Sequence, residues 1–175
     1  MFSNPEKNLL QFGINEGMSV ADFGVGSGHY ALSIARKVGD TGKVYCIDVM
    51  NEMLYKVSLE AEQQMLHNIE FIWSNLENEK GSTIKTGSIE AVIIANTFFE
   101  IEKKIDLVAE SLRILKEKGR VLLVDWQDSF AGMGPHKDYV VKKEDAIDFF
   151  VKGGFEVERE IDAGDHHYGI VFRKK

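Results

Sequence analysis

The strongest constraint in this sequence is alternation. Short runs rich in β-branched and aromatic residues take turns with stretches whose apolar residues recur at helical spacing. Strand-like runs occupy 18–23, 43–48, 69–73, 90–95, 120–124 and 155–161. Between the first two, Ala31, Ile34, Ala35 and Val38 mark a helix face and Gly39-Asp40-Thr41-Gly42 closes it, giving a strand–helix–strand unit. Further helices are predicted over 51–66, with Met53, Leu54, Val57 and Met65 inward, and over 142–152, with Ala146, Phe149 and Phe150 inward. Between these lies a helix carrying Ile101, Ile105, Val108, Leu112 and Leu115 at 4-3-4-3 spacing.

Only about six residues separate Ile161 from a last run at 167–172, too few for a crossover helix, so the last two strands should pair antiparallel. The expectation is an α/β, doubly wound, Rossmann-like fold. Its seven-stranded sheet is mostly parallel, with one antiparallel strand near the C-terminus and helices on both faces, in a single domain over 1–175. A ligand then belongs beyond the carboxyl ends of the strands, near the topological switch. The polar loop 74–88 is predicted to be the most mobile connection, and 131–136 is a Gly/Pro-containing loop.

Composition narrows the function. Lys+Arg 21 against Asp+Glu 28 leaves a net charge of -7, which disfavours autonomous nucleic-acid binding. The basic clusters Lys142-Lys143 and Arg173-Lys174-Lys175 are short and read as solvated surface. A lone Cys46 rules out an internal disulfide and a cysteine-rich zinc site, and suits the reducing cytoplasm. No apolar run approaches the ~20 residues of a membrane span, and residues 1–6 carry no secretory n-region, so a cytoplasmic location is expected.

The chemistry concentrates where the first strand hands over to the first helix, in Asp22-Phe23-Gly24-Val25-Gly26-Ser27-Gly28. Glycines there permit a sharp turn and close backbone approach, and the helix start offers free N–H groups to an anionic ligand group. Twenty residues after Gly28, Asp48 ends the second strand, where a carboxylate can accept from both hydroxyls of a ribose. The glycine spacing is G-x-G-x-G; the nicotinamide fingerprint wants its third glycine where His29 stands. A Tyr-x-x-x-Lys pair, the mark of many nicotinamide reductases, occurs only at Tyr139 and Lys143, past the fifth strand.

These motifs resemble the class I S-adenosylmethionine-dependent methyltransferases, and within them the small ubiquinone/menaquinone-biosynthesis-type domains. The resemblance covers nearly the whole chain, including Met18–Asp22, Gly42–Asp48, Leu115–Asp125 and the reversed last strand. It implies S-adenosylmethionine as cofactor, S-adenosylhomocysteine as product, and in-line transfer of the sulfonium methyl to an acceptor. By resemblance Gly24, Gly26 and Gly28 line the methionine part, Asp22 helps position its amino-acid end, and Asp48 holds the ribose. Val49 and Met50 lie against adenine, with Asn75 and Leu76 at the position that contacts it. Asn96, after strand four, borders the methyl and the acceptor.

Asn96 and Asp125 are the catalytic candidates, and Phe98, Phe99, Trp126, Phe130 and His136 the substrate-pocket candidates; Asp128 and the pair His166-His167 stand near the same mouth. Adjacent histidines in a strand point to opposite faces, so no metal is expected. The leading reading is methyl transfer to a small-molecule acceptor. A non-catalytic or partner-dependent cofactor-binding subunit is the alternative, with an RNA or protein methyltransferase third. Asn4-Pro5-Glu6 reads as an N-cap and first helical turn leading to Leu9, Leu10 and Phe12, a segment that folds across the cofactor or meets a second subunit, leaving open a homodimer or a partner.

Overall fold

The computed structural model describes residues 3–130 and 132–175. Met1 and Phe2, at the start of the segment read for a leader, and Ala131 of the 131–136 loop lie outside the described residues. The strands are β1 (Ser19–Phe23), β2 (Lys43–Asp48), β3 (Ile69–Trp73), β4 (Ile89–Ala95), β5 (Leu115–Trp126), β6 (Phe155–Ile161) and β7 (His167–Lys174). The α-helices are α1 (Pro5–Phe12), α2 (His29–Val38), α3 (Asn51–Gln63), α4 (Lys104–Ile114) and α5 (Lys143–Lys152), with 3-10 turns at Phe98–Glu100 and Lys137–Tyr139.

All seven strands join one sheet in the order β3-β2-β1-β4-β5-β7-β6. Six run parallel to one another, and β7 runs antiparallel to both its neighbours, β5 and β6. Side-chain alternation along the central strands feeds two apolar layers. Leu122 and Val124 face the layer of Leu9, Phe12, Ile34, Val38 and Val57, under α1, α2 and α3. Val121 and Leu123 face that of Leu107, Val108, Ile114, Phe150 and Phe172, under α4 and α5. Because the connections leave β1 towards β2 and β4 towards β5, a crevice opens between the ends of β1 and β4.

Asn4 caps α1, its side chain accepting from Lys7 N at 3.1 Å, and Pro5 follows as the first helical residue. Leu9 and Phe12 are buried and Leu10 is exposed. The far end of α1 is held by two guanidinium groups: Arg120 donates to Phe12 O at 2.9 Å and Arg159 to Gln11 O at 2.9 Å. This satisfies carbonyls that a helix end otherwise leaves open.

Three boundaries differ from the sequence reading. Helix α3 stops at Gln63, and Met65, expected inward, takes a φ of 55° that turns it into solvent. The residues 98–100 form a separate 3-10 turn, so α4 begins at Lys104 with a rotated inner face: Leu107, Val108, Ser111 and Ile114 are buried, whereas Ile105 is 71% exposed. Strand β5 begins five residues early, because Leu115 pairs with Ile89 before a bulge and Arg120 resumes pairing with Ala91. Lys118, at φ 60°, sits in that bulge, and Leu115, expected on the helix face, belongs to the strand.

The 74–88 segment, expected to be the loosest connection, is anchored. Ser82 N donates to Glu110 Oε1 at 2.8 Å, the Ser82 hydroxyl donates to the same carboxylate, and Leu76 and Ile84 are buried. Arg113 Nε completes the clamp on Glu110 Oε2 at 2.7 Å. Among the described residues no helix is long and apolar enough to cross a membrane. Because Glu110 is 3% exposed and accepts from four donors on Ser82 and Arg113, Glu110→Ala should lower stability in urea denaturation by about 2–3 kcal/mol. Hydrogen exchange should speed up around Ser82 well before the β-sheet is affected.

Candidate functional site

The crevice is a cleft of about 550 Å³ whose walls come from the turn after β1, the end of β2, the loop after β3 and the turn after β4. The glycines of the first turn have unequal roles. Gly24, Gly26 and Gly28 all have positive φ, at 80°, 48° and 79°. A side chain on Gly24 would overlap Thr97 and one on Gly28 would overlap Val57, so both let neighbouring segments of the protein pack closely. A Cβ on Gly26 would meet nothing nearer than 4.0 Å, which leaves Gly26 as the glycine whose backbone is open to a ligand. Gly28 then opens α2 with no side-chain cap, so the positive end of that helix is turned toward the cleft.

Asp48 faces this turn from the end of β2. Its Oδ2 accepts from Gly26 N at 3.2 Å and its Oδ1 from Met50 N at 2.8 Å. A carboxylate has about four acceptor positions, so each oxygen keeps capacity for a hydroxyl donor. Asp22, one strand over, is 1% exposed and its Oδ2 has no hydrogen-bond partner among the described residues. Burial, with the nearby Asp48 second, pushes its carboxyl up to about 8, and the Ala31 N–H offsets only part of this. Asp22 therefore keeps its proton at pH 7.

Val49 and Met50 line the cleft half-exposed, and Leu76 lines it from a buried position. Asn75 also lines it, but its Oδ1 accepts from Glu77 N at 2.8 Å in a local turn, leaving only its amide nitrogen unbonded among the described residues. At the end of β4, Asn96 faces the cleft from a left-handed backbone, φ 54°, fixed by its N–H on Val124 O at 2.9 Å. For a residue other than glycine this conformation is uncommon and belongs to turns and functional sites. His29 also lines the cleft, at its exposed mouth.

The other acceptor-side candidates are placed elsewhere. Asp125 lies outside the cleft lining, because strand alternation turns it to the α4/α5 face of β5. There it accepts from Phe99 N at 3.0 Å and from Trp126 N at 2.8 Å, and burial pushes it up to about 7. Phe98 is fully buried against Phe149 and Phe150. Phe99 lies outside the cleft and contributes to a separate groove with Tyr139 and Phe149. Trp126 stacks on His167 with ring centres 4.2 Å apart, and Phe130 on His166 at 4.1 Å. His136 is exposed and accepts from Asp138 N at the start of a 3-10 turn. The expected aromatic acceptor wall is therefore spent on local packing. The two histidines are placed apart, His166 on the turn before β7, where it meets Asp128 at 2.8 Å, and His167 buried at the start of β7.

Sequence reasoning missed Glu77, Ile101 and Ser3 of the cleft lining; Thr97 and Glu100 fall in the run after strand four that the resemblance places beside the methyl without being singled out there, and Pro5 in the segment read as folding across the cofactor. The segment Ala95–Glu100 does stand at the carboxyl end of a strand. Its helical turn, which brings Glu100 back beside Thr97, has no periodic signal in three residues. Asn8 links α1 to the cleft floor, donating to Tyr30 Oη at 2.7 Å and Ser3 Oγ at 2.9 Å. The result is a partly enclosed site, largely apolar in its walls and acidic in its charged groups, suited to a small ligand with hydroxyl donors and positive charge.

Against known proteins, residues 14–147 match the family model described as a methyltransferase domain. The solved structure of a SAM dependent methyltransferase from Aquifex aeolicus superposes with a TM-score of 0.90 at 27% identity, covering 99% of this chain and 91% of that one. The demethylmenaquinone methyltransferase of Lactococcus lactis is 26% identical over 119 residues, 68% of this chain and 46% of that protein. The ubiquinone/menaquinone biosynthesis C-methyltransferase UbiE of Erwinia tasmaniensis is 25% identical over 158 residues, 89% of this chain and 59% of that protein. The chain thus spans about half the length of the curated relatives it matches. With well over half of its residues inside the family model, the chain belongs to this family of methyltransferase domains.

Proposed function

We propose that this protein binds S-adenosylmethionine and transfers its methyl group to a small-molecule acceptor. The observation that carries the reading is Asp48, fixed by Gly26 N and Met50 N at the end of β2 with acceptor capacity left for a ribose. The residues present fit the cofactor in three further respects. Gly26 leaves space where a side chain would stand, Val49, Met50 and Leu76 offer apolar surface for a flat base, and the partnerless Asp22 Oδ2 can accept from an amino group. The names of the curated relatives, which act on quinone precursors, support a small acceptor.

The cofactor, when bound, supplies an electrophilic methyl on a sulfonium. The chain's own work is to align and to enclose, which is where most of the acceleration of such a displacement originates. Asp48 and the open backbone at Gly26 fix one end of the cleft. Asn96, held in place through Val124 O, and Ile101 flank the other end, and Ser3 and Pro5 narrow its mouth. Asp125 acts at one remove: by accepting from Phe99 N it sets the turn after β4 that carries the cleft-facing residues.

A second reading has a specific observation behind it. Phe98, Trp126 and Phe130 are engaged elsewhere, so a cofactor-binding subunit that needs a partner, or a second copy, to complete its acceptor site fits the same cleft. Turnover of uncharged phenols or amines by the isolated chain selects the first reading. Tight cofactor binding without turnover selects the second.

Calorimetry with S-adenosylmethionine, S-adenosylhomocysteine and NADH in parallel tests the cofactor. Micromolar binding of the first two is expected, and Asp48→Ala should weaken both by roughly a hundredfold, in keeping with loss of charge-assisted hydrogen bonds. Binding of NADH alone would overturn the assignment.

A pH prediction follows from Asp22. Between its ordinary value of 3.8 and about 8 the folded chain holds this proton and the unfolded chain releases it, so stability should fall as pH rises through that window. Asp22→Asn removes the contribution: thermal unfolding should show the variant equal to the parent near pH 4 and increasingly more stable toward pH 8, while its cofactor affinity is reduced.

A further inference from the structure

Among the described residues, the side chains lining the cleft include four carboxylates, those of Asp22, Asp48, Glu77 and Glu100, and no lysine or arginine. Three of them are accounted for. Asp22 is buried and protonated, Asp48 is braced by two backbone N–H groups, and Glu77 Oε1 accepts from Lys103 N at 2.6 Å. Glu100 differs: among the described residues its carboxylate has neither a hydrogen-bond donor nor an ion-pair partner. Lys104, one helical turn on, is turned away, its Nζ donating to Ile101 O at 2.5 Å and lying 5.4 Å from the centre of the Phe98 ring.

Glu100 is also held where it is. It ends the 3-10 turn Phe98–Glu100, whose N–H at Phe99 is bound by Asp125 at 3.0 Å and whose own N–H reaches Thr97 O at 3.0 Å. Partial burial, then repulsion from Asp48 across the cleft, raises its carboxyl above the ordinary glutamate value. Such a group gains from positive charge brought near it.

We propose that Glu100 is the charge-reading residue of the cleft: its unpartnered carboxylate, on the cleft wall after β4, favours a cationic ligand over one of the same shape that is neutral, and excludes acceptors bringing negative charge. The inference rests on the S-adenosylmethionine reading above and adds to it a specificity-determining residue and an acceptor class, uncharged or cationic nucleophiles. It also gives a physical reason for exchange of ligands, since a spent cofactor without the sulfonium charge loses the attraction of Glu100 while keeping every contact made by Asp48 and Gly26.

The test is a comparison of affinities. Calorimetry on the purified chain would measure S-adenosylmethionine, S-adenosylhomocysteine and sinefungin, which carries an amine where the sulfonium stands. Glu100→Gln should weaken the two cationic ligands by about five-fold and leave S-adenosylhomocysteine unchanged. Glu102→Gln, which removes an equal charge outside the cleft, should change none of the three. Because Glu100 is exposed and the substitution is isosteric, thermal unfolding should confirm that the fold is intact. Lowering the pH through the raised Glu100 range should shrink the preference for cationic ligands in the parent and not in Glu100→Gln. An equal change for all three ligands, or no change for any, would sink the proposal. If the parent chain binds none of them, the cofactor reading fails and this one with it.

Discussion

The arrangement at the end of β2 is the point on which the rest of the site depends. Asp48 takes one N–H from the turn that follows β1 and one from the start of α3, so a single carboxylate ties three successive pieces of the chain together. Each bond is charge-assisted and therefore stronger than a neutral one. Gly26 can reach Asp48 only from a positive φ, and Gly24 and Gly28 on either side let Thr97 and Val57 close in behind the turn. The sheet supplies the frame: β1 lies between β2 and β4, so the walls of the cleft are the ends of hydrogen-bonded neighbours and cannot drift apart without breaking the ladder.

The charge distribution of the cleft carries a cost in the folded state. Burying Asp22 beside Asp48 disfavours ionisation of both together, and the chain resolves the conflict by keeping a proton on Asp22. Asp125 shows the same physics in a different place, with burial raising it to about 7 while two backbone N–H groups hold its ionised form. The two acids differ in what they accept. Asp125 has both oxygens engaged by the protein, whereas Asp22 retains an oxygen with no partner among the described residues, the pattern expected where a group waits for a ligand.

How much of this was legible in the sequence depends on the range over which each signal acts. Alternation and the short 161–167 connection encode the strand order and the single reversed strand, because βαβ handedness and loop length leave few topologies. The glycine turn and Asp48 were legible because their spacing is itself the requirement. Acceptor-side residues were not. Asp125 and Trp126 sit at a strand end, where one residue of phase decides between cleft and core, and the pairing of Trp126 with His167 across β5 and β7 is set by a register invisible in either strand alone. Glu100 was not singled out because a 3-10 turn of three residues has no period to read, and Ile105 and Met65 were misplaced where such short features shifted a helix boundary.

The placement of the aromatic residues bears on what kind of acceptor site this fold has. Had Phe98, Trp126 and Phe130 lined the cleft, recognition would rest on a rigid apolar wall built from strand ends. Instead Phe98 supports the core, the two histidines hold Trp126 and Phe130, and the cleft lining after β4 is Asn96, Thr97, Glu100 and Ile101, with Ser3 and Pro5 also in the lining. Every one of these lies on a turn or a helix start fastened by one or two hydrogen bonds: Asn96 to Val124, the Phe99 turn to Asp125, and Ser3 to Asn8. The Asp48 end of the cleft is thus built on the sheet and the lining after β4 on local fastenings. A protein made this way can change its acceptor by altering a few turn residues while the carboxylate clamp at Asp48 stays as it is.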